Sequence, residues 1–276
     1  MSGFIKVKAK ELLLGNTLKL FLVSLTGNFL KLLFTAIVVL SAHFILVSKQ
    51  LQLLVVNYDG FLVYFIYSLF TVSAYFALAL FISGLKTGEN AIYYMHSKGT
   101  KAKFKYLFIF LRPSQSFRSF LLYSKLFFLR IFWALFFYLP PLFCLGLTFY
   151  LYFSTFIYRA VFFTLLIGAV FLLSISRFYY NCAVMRYTFT PYYLCTDLNL
   201  SVNEAILKST ENSDGFIKDG VYLKSSFFPW ILCYLFIFPL FYVIPFKKLT
   251  RAKYVTFCDG LRKPLPQNLE ANRMIS

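Results

Sequence analysis

Apolar positions in this chain run on without interruption rather than alternating with polar ones. Uncharged stretches cover residues 32–48, 60–85, 131–158, 160–176 and 225–246. A helix rises about 1.5 Å per residue, so a hydrocarbon core about 30 Å thick needs about 20 residues. Each stretch is near or above that length. The short first one gains reach because Lys31 can lay its apolar stem back toward the interface. A membrane β-strand would instead show about ten residues of alternating polarity. The pattern predicts an all-α, polytopic transmembrane helix bundle with five to six membrane segments. No internal repeat is visible in the residues themselves.

The last stretch raises a question of layout. SSFFPWILCYLFIFPLFYVIPFKKLTRAKY (225–254) carries Pro229, Pro239 and Pro245. Proline lacks an N–H and clashes with the preceding turn, so it breaks helices. The stretch is either one straight crossing or a helical hairpin folded at Pro239, with arms over about 216–238 and 239–257. Charge separates the two. Lys and Arg concentrate in 1–31, in 86–130 and from 247 onward, whereas 49–59 holds only Lys49 and Asp59. Cytoplasmic loops carry the excess of Lys and Arg. The rule puts the N-terminus, 86–130 and 177–224 inside, and the connections at 49–59 and 159 outside. A straight fifth crossing would carry the basic tail outside, so a hairpin, re-entrant or fully crossing, is the favoured layout. The chain then reads as one membrane-embedded domain over 1–262 and a polar tail over 263–276. The first 20 residues do not read as a cleavable signal peptide, because Lys6, Lys8, Lys10, Glu11 and Lys19 interrupt any apolar core.

Composition agrees with lipid as the solvent. The chain is 60% hydrophobic and 14% charged, with a mean hydropathy of +0.71. A soluble domain carries about a quarter charged residues. Two regions break the apolar monotony. LSVNEAILKSTENSDG (200–215) sets Ser201 three residues before Glu204, a capping box opening a helix, and ENSDG closes it. Asn199-Leu200-Ser201 matches a glycosylation sequon, which carries no weight on an inner face. KGTKAKFKYLFIFLRPSQSFRSFLLYSK (98–125) interleaves cations with apolar residues. It reads as cytoplasmic amphipathic helices lying on the inner leaflet, with Lys98, Lys101, Lys103, Lys105, Arg112 and Arg118 at anionic headgroups. Each such charge is worth about 1 kcal/mol near a membrane surface. The same charges also serve as the topology signal.

Candidate chemistry is sparse. Cys144, Cys182, Cys195, Cys233 and Cys258 are scattered, and His43 and His96 are the two histidines. Neither a metal site nor a disulfide framework follows from that spacing. No confident crossing contains Asp or Glu, which argues against a proton-coupled carrier. No hydroxyl has the His and acid partners of a nucleophile. Pro140, Pro141 and Pro239 are the candidate helix-break or hinge positions. Gly84 and Gly88 have the spacing of a helix-dimer face, but with Lys86 between them they read as a helix boundary.

Several stretches together resemble an uncharacterised group of bacterial integral membrane proteins, a domain-of-unknown-function family. VKAKELLLGN (7–16), FISGLKTGENAIYYMHSKG (81–99), LSVNEAILKS (200–209), LKSSFFPWIL (223–232) and VIPFKKLTRAKY (243–254) carry the likeness. Phe246 stands where Tyr is typical, and Pro229 where Gly is common. The resemblance implies a bacterial cell-membrane protein and no known activity.

The expected function is that of a multi-pass, non-enzymatic membrane component, an accessory or scaffold that contacts anionic lipid through a basic cytoplasmic face. The expected partners are membrane lipids and a membrane protein or a second copy of the chain, with no nucleic acid and no cofactor. A transporter or channel-like protein with a path near the proline-broken helices is the alternative. A lipid enzyme comes third, for want of acids.

Overall fold

Long apolar runs with good helix formers at their polar ends become helices that outlast the apolar run. The computed structural model describes residues 1–47, 60–100, 102–155, 159–197, 199–230 and 237–262. These form α1 (Ser2–Leu13), α2 (Thr17–Val47), α3 (Gly60–Ser97), α4 (Tyr106–Ile109), α5 (Pro113–Thr155), α6 (Arg159–Met185), α7 (Thr190–Thr196), α8 (Val202–Ser213), α9 (Ile217–Ser225) and α10 (Ile237–Arg262). There is no strand among the described residues. Among the described residues, four segments are long and apolar enough to cross a membrane: Thr17–Ile45, Val63–Ser97, Pro113–Ser154 and Arg159–Thr196. The fold is therefore all-helical and compatible with a membrane protein. The expected loop at 49–59, the tail at 263–276, Lys101 and Cys233 lie outside the described residues.

α2 packs along α3, and α5 along α6, as two antiparallel pairs. Over their apolar lengths both pairs are bare, with Phe44 75% and Phe153 74% exposed. Burial concentrates at one end. There Ile5, Ala9 and Leu13 of α1, Leu20 and Val23 of α2, and Ile92 and Tyr93 of α3 meet Phe189 and α10's Leu249, Ala252 and Val255. The long helices thus stand on a dense helical body built from their own polar ends and the short helices.

The structure departs from the sequence reading in three places. First, 98–125 does not form separate surface helices. α3 extends to Ser97 and α5 starts at Pro113, leaving only the single turn α4 between them. Second, no break occurs at Pro140-Pro141, and α5 runs through both. The prolines leave the carbonyls of Phe136 and Phe137 without helix donors. Ring contacts of Phe137 with Tyr179 and Tyr138 with Tyr180 hold this stretch against α6. Third, Pro239 does not head the last helix, because the described part of α10 already includes Ile237 and Phe238 ahead of it.

Around residues 216–254 the chain doubles back. Tyr254 Oη donates to Phe216 O, Phe227 meets Phe246, and Trp230 stacks on Tyr242. The described segments 216–230 and 242–254 pair antiparallel; residues 231–236 lie outside the described residues.

A repeat is also present. Residues 1–25 and 201–225 have the same helix–turn–helix course, position for position. Gly15 and Gly215 take φ of 82° and 85° at the turn, a backbone region that glycine enters without steric cost. The burial classes agree across 1–30 and 201–230 except at positions 2, 10, 19 and 24 of the first copy. Only Lys8, Glu11 and Gly15 are identical in the second copy, as Lys208, Glu211 and Gly215.

Candidate functional site: a basic cavity where the apolar runs end

Six helices from both halves of the chain line an open cavity of about 370 Å³, within the size range of small-ligand pockets. Lys86 of α3, Arg130 of α5, Lys224 of α9, and Lys247 and Arg251 of α10 line it. No acidic residue is among the described lining. The position of each cation follows from the sequence. Lys86 directly follows the uncharged run 60–85, Arg130 precedes 131–158, and Lys224 and Lys247 flank 225–246. A helix that leaves hydrocarbon acquires its first charge there, and the body gathers four of those first charges into one place.

Neutral groups hold two of these cations. Lys86 lies over the Tyr123 ring, 4.2 Å from its centroid, a cation–π contact. Tyr123 Oη accepts from Asn90 Nδ2 at 3.0 Å. Lys224 Nζ donates to Asn181 Oδ1 at 2.9 Å. Burial, followed by repulsion from Arg251, Arg130, Lys247 and Arg177, lowers the Lys224 pKa below the ordinary lysine value. Burial and Arg251 do the same to Lys247. Lys224 and Lys247 are therefore repelled by neighbouring cations, with no protein carboxylate among the described residues acting on either.

The contrast with the neighbouring charge cluster is sharp. Glu89, 4% exposed, accepts from Lys31 at 3.5 Å, from Lys248, and from Ser24 Oγ at 2.8 Å. Tyr93 Oη donates to Leu20 O at 2.9 Å and shares a hydrogen bond with Ser24. This cluster ties α2, α3 and α10 together, and its carboxylate is fully used. A second tie joins α3, α7 and α10, where Asp259 accepts from Tyr94 at 3.2 Å and from Tyr193. Both read as internal clamps.

The residues expected to meet headgroups fare unevenly. Lys103, Lys105 and Arg112 are exposed, and Lys98 is exposed above the Tyr94 ring. Arg118 is turned inward, donating to Leu200 O and to Gln115 Oε1. None of the five described ones lines the basic cavity. In the sequence Lys224, Lys247 and Arg251 read only as topology charges, and Lys86 and Arg130 only as the ends of the basic 86–130 set, because four distant segments supply the five. Their position at the edges of apolar runs was the available signal. Among the described residues no group of His, Cys, Asp and Glu could hold a metal ion. Comparison with protein-family models, curated proteins and solved structures returns no match for this chain.

Proposed function

We propose that this chain is a multi-pass, non-enzymatic component of the bacterial cell membrane whose cytoplasmic helical body binds anionic lipid headgroups in the basic cavity. The observation that carries the reading is five cations around one cavity with no acid in its described lining. Four of them, Lys86, Arg130, Lys224 and Lys247, stand at the ends of apolar runs, which supports a place at headgroup depth, where anionic lipid offers the missing charge. Lys98, Lys103, Lys105 and Arg112 add a general attraction to the same leaflet. The 225–257 segment is read as a hairpin that enters from that leaflet, and the chain as a member of the uncharacterised bacterial membrane family it resembles. A transporter would need a polar cavity between the long helices at mid-membrane. The basic cavity lies instead where those helices leave the apolar zone. The test is lipid retained by purified protein from mixed phosphatidylglycerol and phosphatidylcholine. Retention should favour phosphatidylglycerol, and Arg130→Gln with Arg251→Gln should abolish the preference. Equal retention of both lipids by the unaltered protein would overturn the reading.

A further inference from the structure

We infer that the basic cavity selects a ligand with at least two negative charges on phosphate, as a terminal phosphomonoester or as two phosphates, over one carrying a single phosphodiester charge. The inference rests on the headgroup-binding reading above and narrows it.

Three observations support it. The first is charge. Five cations face one cavity whose described lining has no acid. The nearby carboxylate, Glu89, is already taken by Lys31 and Lys248. A phosphodiester brings one negative charge and leaves four cations opposed. A phosphomonoester brings about two near neutral pH, and a diphosphate brings more. The second is donor geometry. Arg130 and Arg251 offer planar forks that grip two oxygens of one phosphate at once, while Lys86, Lys224 and Lys247 serve as movable point charges. Such a set suits a group with several free oxygens.

The third comes from the repeat. Of the four positions where burial differs between the copies, position 24 changes most, from fully buried Ser24 to Lys224, which stays open to solvent along part of its length while lining the cavity. Ser24 sits where the chain brings its own anion, bonded to Glu89 and to Lys248. Lys224 sits where the described chain brings cations only, bonded to the neutral Asn181. One copy is closed by a protein carboxylate, and the other is left for an anion from outside.

The same phosphate chemistry could come from a lipid headgroup or from a soluble phosphate compound, so the experiment has an arm for each. Protein in detergent would be titrated with phosphatidic acid, phosphatidylglycerol and phosphatidylcholine, and separately with pyrophosphate and inorganic phosphate, following thermal stabilisation. Phosphatidic acid is expected to bind about tenfold more tightly than phosphatidylglycerol, the effect of one added charge-assisted hydrogen bond. Arg251→Gln and Lys224→Gln should level that difference, while Lys103→Gln, outside the cavity, should leave it intact. Removing a cation relieves repulsion, so the cavity variants should fold at least as well as the parent. Stabilisation by pyrophosphate over inorganic phosphate, with no lipid preference, supports the charge selection and assigns it to a soluble ligand. Equal binding of phosphatidic acid and phosphatidylglycerol, both above phosphatidylcholine, with no pyrophosphate effect, overturns this inference and leaves the headgroup reading standing. No preference among the three lipids and no phosphate effect overturns both.

Discussion

At the scale of single residues, the cavity lysines couple stability and binding to pH in opposite directions. Lys224 faces Arg251 and Lys247 from α10, Arg130 from α5 and Arg177 from α6, with Asn181 as its neutral partner. Burial first, and these cations second, lower its pKa from the ordinary 10.5. The unfolded chain therefore holds this proton more tightly than the folded one. Stability of the unliganded protein should rise with pH between the folded-state value and 10.5, because the unfolded state binds more protons there. Phosphate favours the ammonium, so binding takes up a proton and should weaken across the same window. Tyr254 opposes the first trend at the alkaline end, since burial pushes its hydroxyl up. Comparison with Lys224→Gln cancels that contribution. The measurement is thermal unfolding of both proteins from about pH 7 to about pH 10. A parent slope no steeper than that of Lys224→Gln would contradict the assignment. Nothing in the local sequence around 224 announces this role, because its neighbours in space come from residues 130, 177, 247 and 251.

At the scale of elements, the glycines of α3 explain how a membrane helix is fastened to the body. Gly84 and Gly88 read in the sequence as a helix boundary, yet α3 continues to Ser97. Both glycines face the 107–110 turn instead. A Cβ on Gly88 would lie 2.3 Å from Leu107 O and 2.8 Å from Leu107 C, and one on Gly84 2.7 Å from Phe110 O. The obstructing atoms are backbone, which cannot swing aside. Gly88→Ala should therefore force α3 and α4 apart and destabilise by roughly 1–3 kcal/mol, the usual cost of overpacking. Gly146→Ala in α5, where a Cβ meets nothing within 4 Å, is the control and should not lower the melting temperature. An unchanged melting temperature for Gly88→Ala would refute the close seat. Long helices and the Ser201–Glu204 capping box were readable because their signals are local: apolar length for the first, and two reciprocal hydrogen bonds of 2.8 and 3.2 Å for the second. The repeat was not readable. Its copies share which positions are buried, while their side chains differ almost throughout, since one copy continues into a bare apolar helix and the other into the short α9.

At the scale of the whole molecule, packing fixes which ends lie together without reference to charge. α1 packs on α10, and Phe4 and Phe257 meet with ring centroids 5.9 Å apart. α10 also pairs antiparallel with the 216–230 segment, so Arg262 returns to the end where α8 and α9 lie. If the four candidate spans among the described residues all cross, their even number brings the chain back to its starting side, and the antiparallel return of α10 keeps it there. A straight crossing through 225–246 would place Tyr254 a full bilayer from Phe216, which its hydroxyl touches. The expected outcome is that tags at the N-terminus and after residue 276 are both digested by protease in inverted vesicles and both protected in intact cells. A C-terminal tag protected in inverted vesicles while the N-terminal tag is cut would mean that α10 crosses. The termini would then be separated by hydrocarbon, the Phe4–Phe257 contact could not form, and Lys247 and Arg251 would be carried away from Lys86 and Arg130. The topology test is therefore also a test of the cavity, since its five cations can face one ligand only if the last helix folds back.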